Sequence, residues 1–204
     1  MSDMTKLEAV KEALEKRRFE VRLFDTAKDA RAALLDSLKD AKTVGIGGSA
    51  TIQGLDIADT LRENGTDVIW HWLPQPDGRD ARRAALNAEV YLASANALTT
   101  DGRLLFIDGT GNRVGAILYG PQRVILVVGK NKLAADLDAG FARIREYACP
   151  PNAKRLGLQT PCALTGKCTD CSSPQRMCNA FLTLERKPGS HPMEVWLVDE
   201  DLGF

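Results

Sequence analysis

Between Phe19 and Val128 the hydrophobic pattern repeatedly switches its period, from two residues to about 3.6 and back. Phe19, Val21 and Leu23 alternate with Glu20 and Arg22, and Thr26 then opens a helical run rich in alanine and leucine. The same switch predicts strands at Thr43 to Ile46, Val68 to Trp72, Val90 to Leu92 and Val124 to Val128. Between them it predicts helices from about Thr51 to Asn64, ending at Gly65, and from about Arg79 to Asn87. An opening helix carries Leu7, Val10 and Leu14 on one side, with Thr5 and Glu8 at capping-box spacing. Crossover helices must pack back onto the strands they connect. The expected fold class is therefore α/β, a mainly parallel sheet with helices on both faces. Asp101-Gly102 marks a hairpin, and Leu133, Leu137, Phe141 and Ile144 fall on one face of a later helix.

At Cys149-Pro150-Pro151-Asn152 this periodicity stops, and all five cysteines follow before Asn179. Strand patterns return at Phe181 to Leu184 and Glu194 to Val198, joined by the turn-forming Pro188, Gly189 and Ser190. The expected organisation is an α/β domain over residues 1–148, with residues 149–204 as a cysteine-rich appendage and C-terminal strands packed on it.

Cys162, Cys168, Cys171 and Cys178 are spaced C-x5-C-x2-C-x6-C, with Pro161, Gly166 and Pro174 bending the chain between them. Thiolates brought together repel, and a bound metal centre removes that charge while supplying folding energy to a loop without a core. Two disulfides or buried reduced cysteines are the alternatives; a reducing compartment disfavours the first and the polar company of Lys167, Thr169, Asp170, Ser172 and Arg176 the second. Zinc ribbons pair two C-x2-C knuckles and this segment has one, so a [4Fe-4S] cluster is preferred and zinc is the alternative. Cys149 reads as a partly buried free thiol.

With 27 basic and 27 acidic residues, the chain has no overall field to draw in nucleic acid or an anionic membrane surface. Charged ligands must be caught locally. The longest run without an ionised side chain, Thr43 to Leu55, is glycine-rich and far short of the roughly 20 apolar residues that span a bilayer. The mixed-charge start MSDMTKLEAV has no apolar core of a secretory signal, so a cytoplasmic protein without membrane insertion is expected.

Gly47-Gly48-Ser49 lies where a strand passes into a helix, so its N–H groups can converge on an anion. It lacks both the Gly-Lys-Ser/Thr of a P-loop and the spacing of a dinucleotide fingerprint, and a serine-capped turn explains it equally well. Asn96 and Thr99, followed by Asp108, Gly109, Thr110, Gly111, Asn112 and Arg113, put dense polar chemistry at the end of an apolar strand, where α/β proteins place ligands. Lys130 follows another such strand. His71 and His191 have no partner in sequence that would make a catalytic triad, and both read as structural.

Gly47-Gly48-Ser49, Ala95 to Gly102, Ile107 to Arg113 and Gly129 to Lys132 together resemble the LUD (lactate utilisation) domain, over nearly the whole chain. The stretch Asn152 to Leu156 and the cysteine cluster are similar to a small subgroup with its own cysteine-rich tail. The resemblance implies a fold like the NagB/RpiA/CoA-transferase group. It also implies a redox accessory role in oxidising lactate or a related organic acid, beside iron–sulfur redox partner proteins. The glutamate nucleophile of CoA-transferases cannot be placed in this sequence. A metabolite-binding or assembly module with structural zinc, and a CoA-transferase-like or isomerase-like enzyme, are the alternative functions.

Overall fold

The computed structural model describes residues 3–204. Helix α1 (Asp3–Lys16) buries Leu7, Val10 and Leu14, and it contains Thr5 rather than starting at it. Strand β1 (Glu20–Phe24) leads to α2 (Ala27–Ser37), whose first turn is capped by the Thr26 hydroxyl accepting from the Asp29 N–H at 3.1 Å. Then come β2 (Thr43–Ile46), α3 (Ala50–Gly54), α4 (Ala58–Glu63), β3 (Asp67–Trp70), α5 (Ala81–Ala84) and β4 (Val90–Ala93). The helix expected over Thr51 to Asn64 is thus two short ones. Asp56, at φ 49°, turns the chain between them so that Leu55, Ile57 and Leu61 all reach the same core.

Strands β5 (Ala97–Thr99) and β6 (Leu104–Asp108) form the hairpin expected at Asp101-Gly102. Helix α6 (Asn112–Leu118), strand β7 (Arg123–Gly129), a 3-10 turn over Lys130–Lys132 and the short β8 (Leu133–Ala134) follow. Leu133 therefore lies on a strand and not on the helix, α7 (Leu137–Arg143). A π turn (Ile144–Ala148) joins α7 to α8 (Cys149–Arg155). Pro150 and Pro151 have no N–H to continue the ladder, and the helix widens just before them. Helix α9 (Pro161–Thr165), strand β9 (Ala180–Leu184) and strand β10 (Met193–Val198) complete the chain.

The main sheet has the order β1-β10-β7-β4-β2-β3, and every neighbouring pair is parallel. Residues of α2, α3 and α4 cover one face and those of α1, α5 and α6 the other. A second sheet, β8-β5-β6-β9, lies over the α1 side. Its strands bury both faces: Leu104 and Phe106 join the main core, while Leu105 and Ile107 pack with Ile144 and Cys149.

Residues 149–204 are not a separate appendage in this topology. Phe181 to Leu184 and Glu194 to Val198 do not pair with each other: β9 extends the second sheet and β10 lies between β1 and β7. The reason is visible in β10 itself, whose six residues are all buried, as an interior parallel strand requires. Only the cysteine-bearing stretch between α8 and β9 is an excursion from the sheets.

Candidate functional site

Strand β2 continues into α3 on one face of the sheet, whereas the chain leaves β4 toward the second sheet on the other. The two strands are neighbours, so a crevice opens at their carboxyl ends. It holds a cavity of about 420 Å3 that reaches the ends of β3 and β6, α8 and the cysteine segment.

Asp108 forms the floor at the end of β6, 5% exposed. Its carboxylate accepts from the N–H groups of Thr110, Arg113 and Val114 at 3.3, 2.8 and 3.1 Å, capping α6. Gly111, at φ 83°, makes the left-handed turn into that helix. The Arg113 guanidinium donates to the Ile107 carbonyl and to Asn96 Oδ1, and its Nε stands 4.0 Å from Asp108. Asn96 Oδ1 also accepts from the Ile107 N–H at 3.0 Å. Asn96, Asp108, Gly109, Thr110, Asn112 and Arg113 thus share one wall of the cavity.

Gly48 and Ser49 form the opposite wall, with Ser49 Oγ accepting from the Ile52 N–H at 3.2 Å as the cap of α3. Gly47 lies just behind. A Cβ there would stand 2.9 Å from the Tyr91 hydroxyl and 3.1 Å from Arg113 Cγ, so glycine is what lets the two walls approach. Thr99 and Lys130 are not part of the cavity lining. Thr99 is a buried hairpin residue that accepts from the Arg103 N–H at 2.8 Å, and Lys130 pairs with Asp199 at 3.1 Å.

The cavity is also lined by residues that the sequence does not single out as its ligands, among them His71, Lys132 and Cys149. His71 sits one residue past the end of β3 and not inside a strand; burial, then the charges of Arg82 and Arg113, hold its imidazole below its ordinary value. Lys132, two residues beyond the predicted Lys130, is 3% exposed, and burial beside Arg143 and Arg113 lowers its ammonium to about 7. Cys149 is buried, and burial together with the nearby sulfurs of Cys178, Cys168 and Cys162 raises its thiol to about 12. A signal existed for His71 and Lys132, since both follow a strand at its carboxyl end.

The cysteine segment is held by hydrogen bonds and, at its end, by Met177 and Cys178, which pack against the small core around Ile144 and Cys149. Arg176 donates to the carbonyls of Cys171 and Cys178 at 2.6 and 3.0 Å and to Asp170 at 2.8 Å. Asn152 Nδ2 lies 3.3 Å from Met177 Sδ, and the Thr160 hydroxyl 3.3 Å from Cys162 Sγ. Gly109 meets this segment face on: a Cβ there would be 2.9 Å from the Met177 carbonyl.

All five cysteines are free thiols. Among the described residues no three Cys, His, Asp or Glu side chains stand close enough to hold a single metal ion. A tetrahedral zinc site needs sulfurs ~3.8 Å apart, the edge of a tetrahedron with bonds of about 2.3 Å, so zinc would have to draw the loop inward.

No helix among the described residues is long and apolar enough to cross a membrane. No curated protein matches the chain. Among solved structures, a DUF162 family protein from Deinococcus radiodurans is similar at 13% identity and a TM-score of 0.55, over 97% of this chain and 99% of that one, a likeness of fold. The family profile of the LUD domain matches residues 7–198, and the chain belongs to the LUD domain family.

Proposed function

We propose that this is a redox accessory protein of the lactate-utilisation type, working in the cytoplasm, with the cavity binding a small anionic metabolite or cofactor. Cys162, Cys168, Cys171 and Cys178 would hold a [4Fe-4S] cluster, which supplies one-electron transfer when bound. The observation that carries this reading is the shared wall: Cys149 and Met177 line the same cavity as Asp108 and Arg113. Cys149 of that wall and Cys178 belong to one small apolar core. Arg113 supplies the charge for an anion, while Asp108 fixes the helix from which Arg113 extends. Iron–sulfur proteins are the partners this reading expects.

Anaerobic expression followed by metal and sulfide analysis tests it. The expected result is a brown protein absorbing at about 400 nm, with about four irons and four sulfides per chain. Colourless protein with one tightly bound zinc, and ligand affinity unchanged by deleting the cysteine loop, would select a binding or assembly module instead.

A further inference from the structure

Six large apolar side chains stand exposed among the described residues, and four of them, Tyr147, Leu156, Leu164 and Phe181, fall within residues 145–181, the stretch that contains all five cysteines. Leu164, 72% exposed, comes two positions after the half-buried Cys162. These side chains are carried by elements in mutual contact: α8 packs on the π turn before it and on α9, and Phe181 lies beneath the Arg145 guanidinium of that turn, 5.8 Å from its ring centre. A single exposed leucine needs no explanation, whereas several on adjoining elements mark a surface that meets another molecule. The same stretch carries a charge imbalance. It holds five basic and two acidic residues in a chain whose formal charge is zero. One acid, Asp170, is taken by Arg176 at 2.8 Å, and the other, Glu146, is next to Arg145 in the chain. Arg155 donates to Asn152 Oδ1 at 2.8 Å and stacks on Trp72, and among the described residues no carboxylate pairs with Lys154, Arg155 or Lys167.

We propose that the π turn, α8 and α9 form the docking surface for an acidic redox protein, whose carboxylates meet Lys154, Arg155 and Lys167 while its apolar centre covers Leu156 and Leu164. This deepens the reading of the cysteines as a cluster site and rests on it, because the cluster is what a redox partner comes to reach. Charge complementarity selects this occupant: unpaired cations around exposed apolar side chains match an acidic rim around an apolar centre. A second copy docked face to face would set the same cations against one another. Aliphatic leucines offer nucleic-acid bases no stacking platform. Helices α8 and α9, of 7 and 5 residues, are too short to lie in a membrane surface as amphipathic helices do.

Surface plasmon resonance of the anaerobically prepared full chain with an acidic [2Fe-2S] ferredoxin as the probe, and a basic cytochrome c as the control, tests this. The ferredoxin is expected to bind at low salt and to lose about fivefold or more in affinity at high salt, and the cytochrome is expected not to bind. The double variant Lys154→Glu/Lys167→Glu should weaken ferredoxin binding about tenfold or more, and Leu164→Ser about threefold or more. Lys28→Glu/Lys39→Glu, which reverses two exposed charges on and just after α2 across the main sheet, should stay within about twofold of wild type. The proposal is overturned if the ferredoxin does not bind, if neither salt nor the Lys154/Lys167 reversal weakens it, or if the α2 variant loses as much. Duplex DNA or phosphatidylserine vesicles binding more tightly than the ferredoxin, or self-association in sedimentation that the same reversal abolishes, would give the surface to another occupant and overturn it too. Iron and sulfide are measured on the same samples, so the two readings fail separately: charge-dependent binding by iron-free protein upholds the surface and removes the cluster, and an intact cluster without binding removes the surface alone.

Discussion

Asn179 Nδ2 donates to the carbonyl of Gly109 at 2.9 Å, and the Asn179 N–H donates to the carbonyl of Asp108 at 3.0 Å. The residue directly after the last cysteine is thereby fastened to the two residues at the end of β6. The cysteine segment and the cavity floor are thus joined by two hydrogen bonds at this seam.

Widening this seam should loosen the loop. Gly109→Val places a branched side chain where a Cβ would already stand 2.9 Å from the Met177 carbonyl. We expect a stability loss of about 1–3 kcal/mol and faster proteolysis within residues 162–178, read by limited digestion and mass spectrometry. Digestion unchanged from wild type would mean that the contact does not restrain the segment.

Asp108 serves α6 before it serves any ligand. Asp108→Ala removes three accepted backbone hydrogen bonds, and a cost of about 2 kcal/mol, equivalent to a fall of about 4–8 °C in Tm, is expected. Asp108→Asn, which keeps an acceptor oxygen, should lose less. A thermal melt of the two variants checks the order.

Lys132 gives stability a pH dependence of known sign. Its folded-state value of about 7 lies below the ordinary 10.5, so the unfolded chain binds more protons between those limits. The penalty is fully present below pH 7 and is relieved as pH rises from about 7 toward 10. Relative to Lys132→Met, the wild type should gain up to about 1.4 kcal/mol per pH unit over that interval. Denaturant unfolding at pH 6.5, 8 and 9 measures the difference, and parallel curves would refute it.

Serine substitution sorts the five cysteines. Replacing Cys162, Cys168, Cys171 or Cys178 should each lower bound iron by more than about half after anaerobic purification, because a cubane needs all four thiolates. Cys149→Ser should retain iron. The opposite pattern, iron lost with Cys149 and kept without Cys171, would reassign the ligands.

Much of the fold could be read from local sequence because period and burial coincide in the strands: β2, β4 and β7 stand where their apolar runs lie. The position of β10 could not be read, since pairing with β1 and β7 is decided by contacts far along the chain. Leu133 and Leu137 share helical spacing by coincidence, and β5 draws Leu133 into a strand. At the site, the stretch from Asp108 to Arg113 was legible because one strand, one turn and one helix start carry it. Lys132 was hidden by Lys130: both follow β7, and only the turn between them decides which points inward. The closeness of Cys149 to the cavity depends on the π turn before Pro150, which no periodicity announces.

In the proposed function the cavity and the cysteine segment act as one site with a common wall at Cys149 and Met177. The most direct measurement is the electron paramagnetic resonance spectrum of the anaerobically prepared, dithionite-reduced protein, recorded with and without saturating pyruvate or L-lactate. The expected result is a reduced-cluster signal whose g-values shift on adding the carboxylate, with the shift lost in Arg113→Ala. A signal unchanged by any carboxylate that titration shows to be bound, or no cluster signal at all, would contradict it.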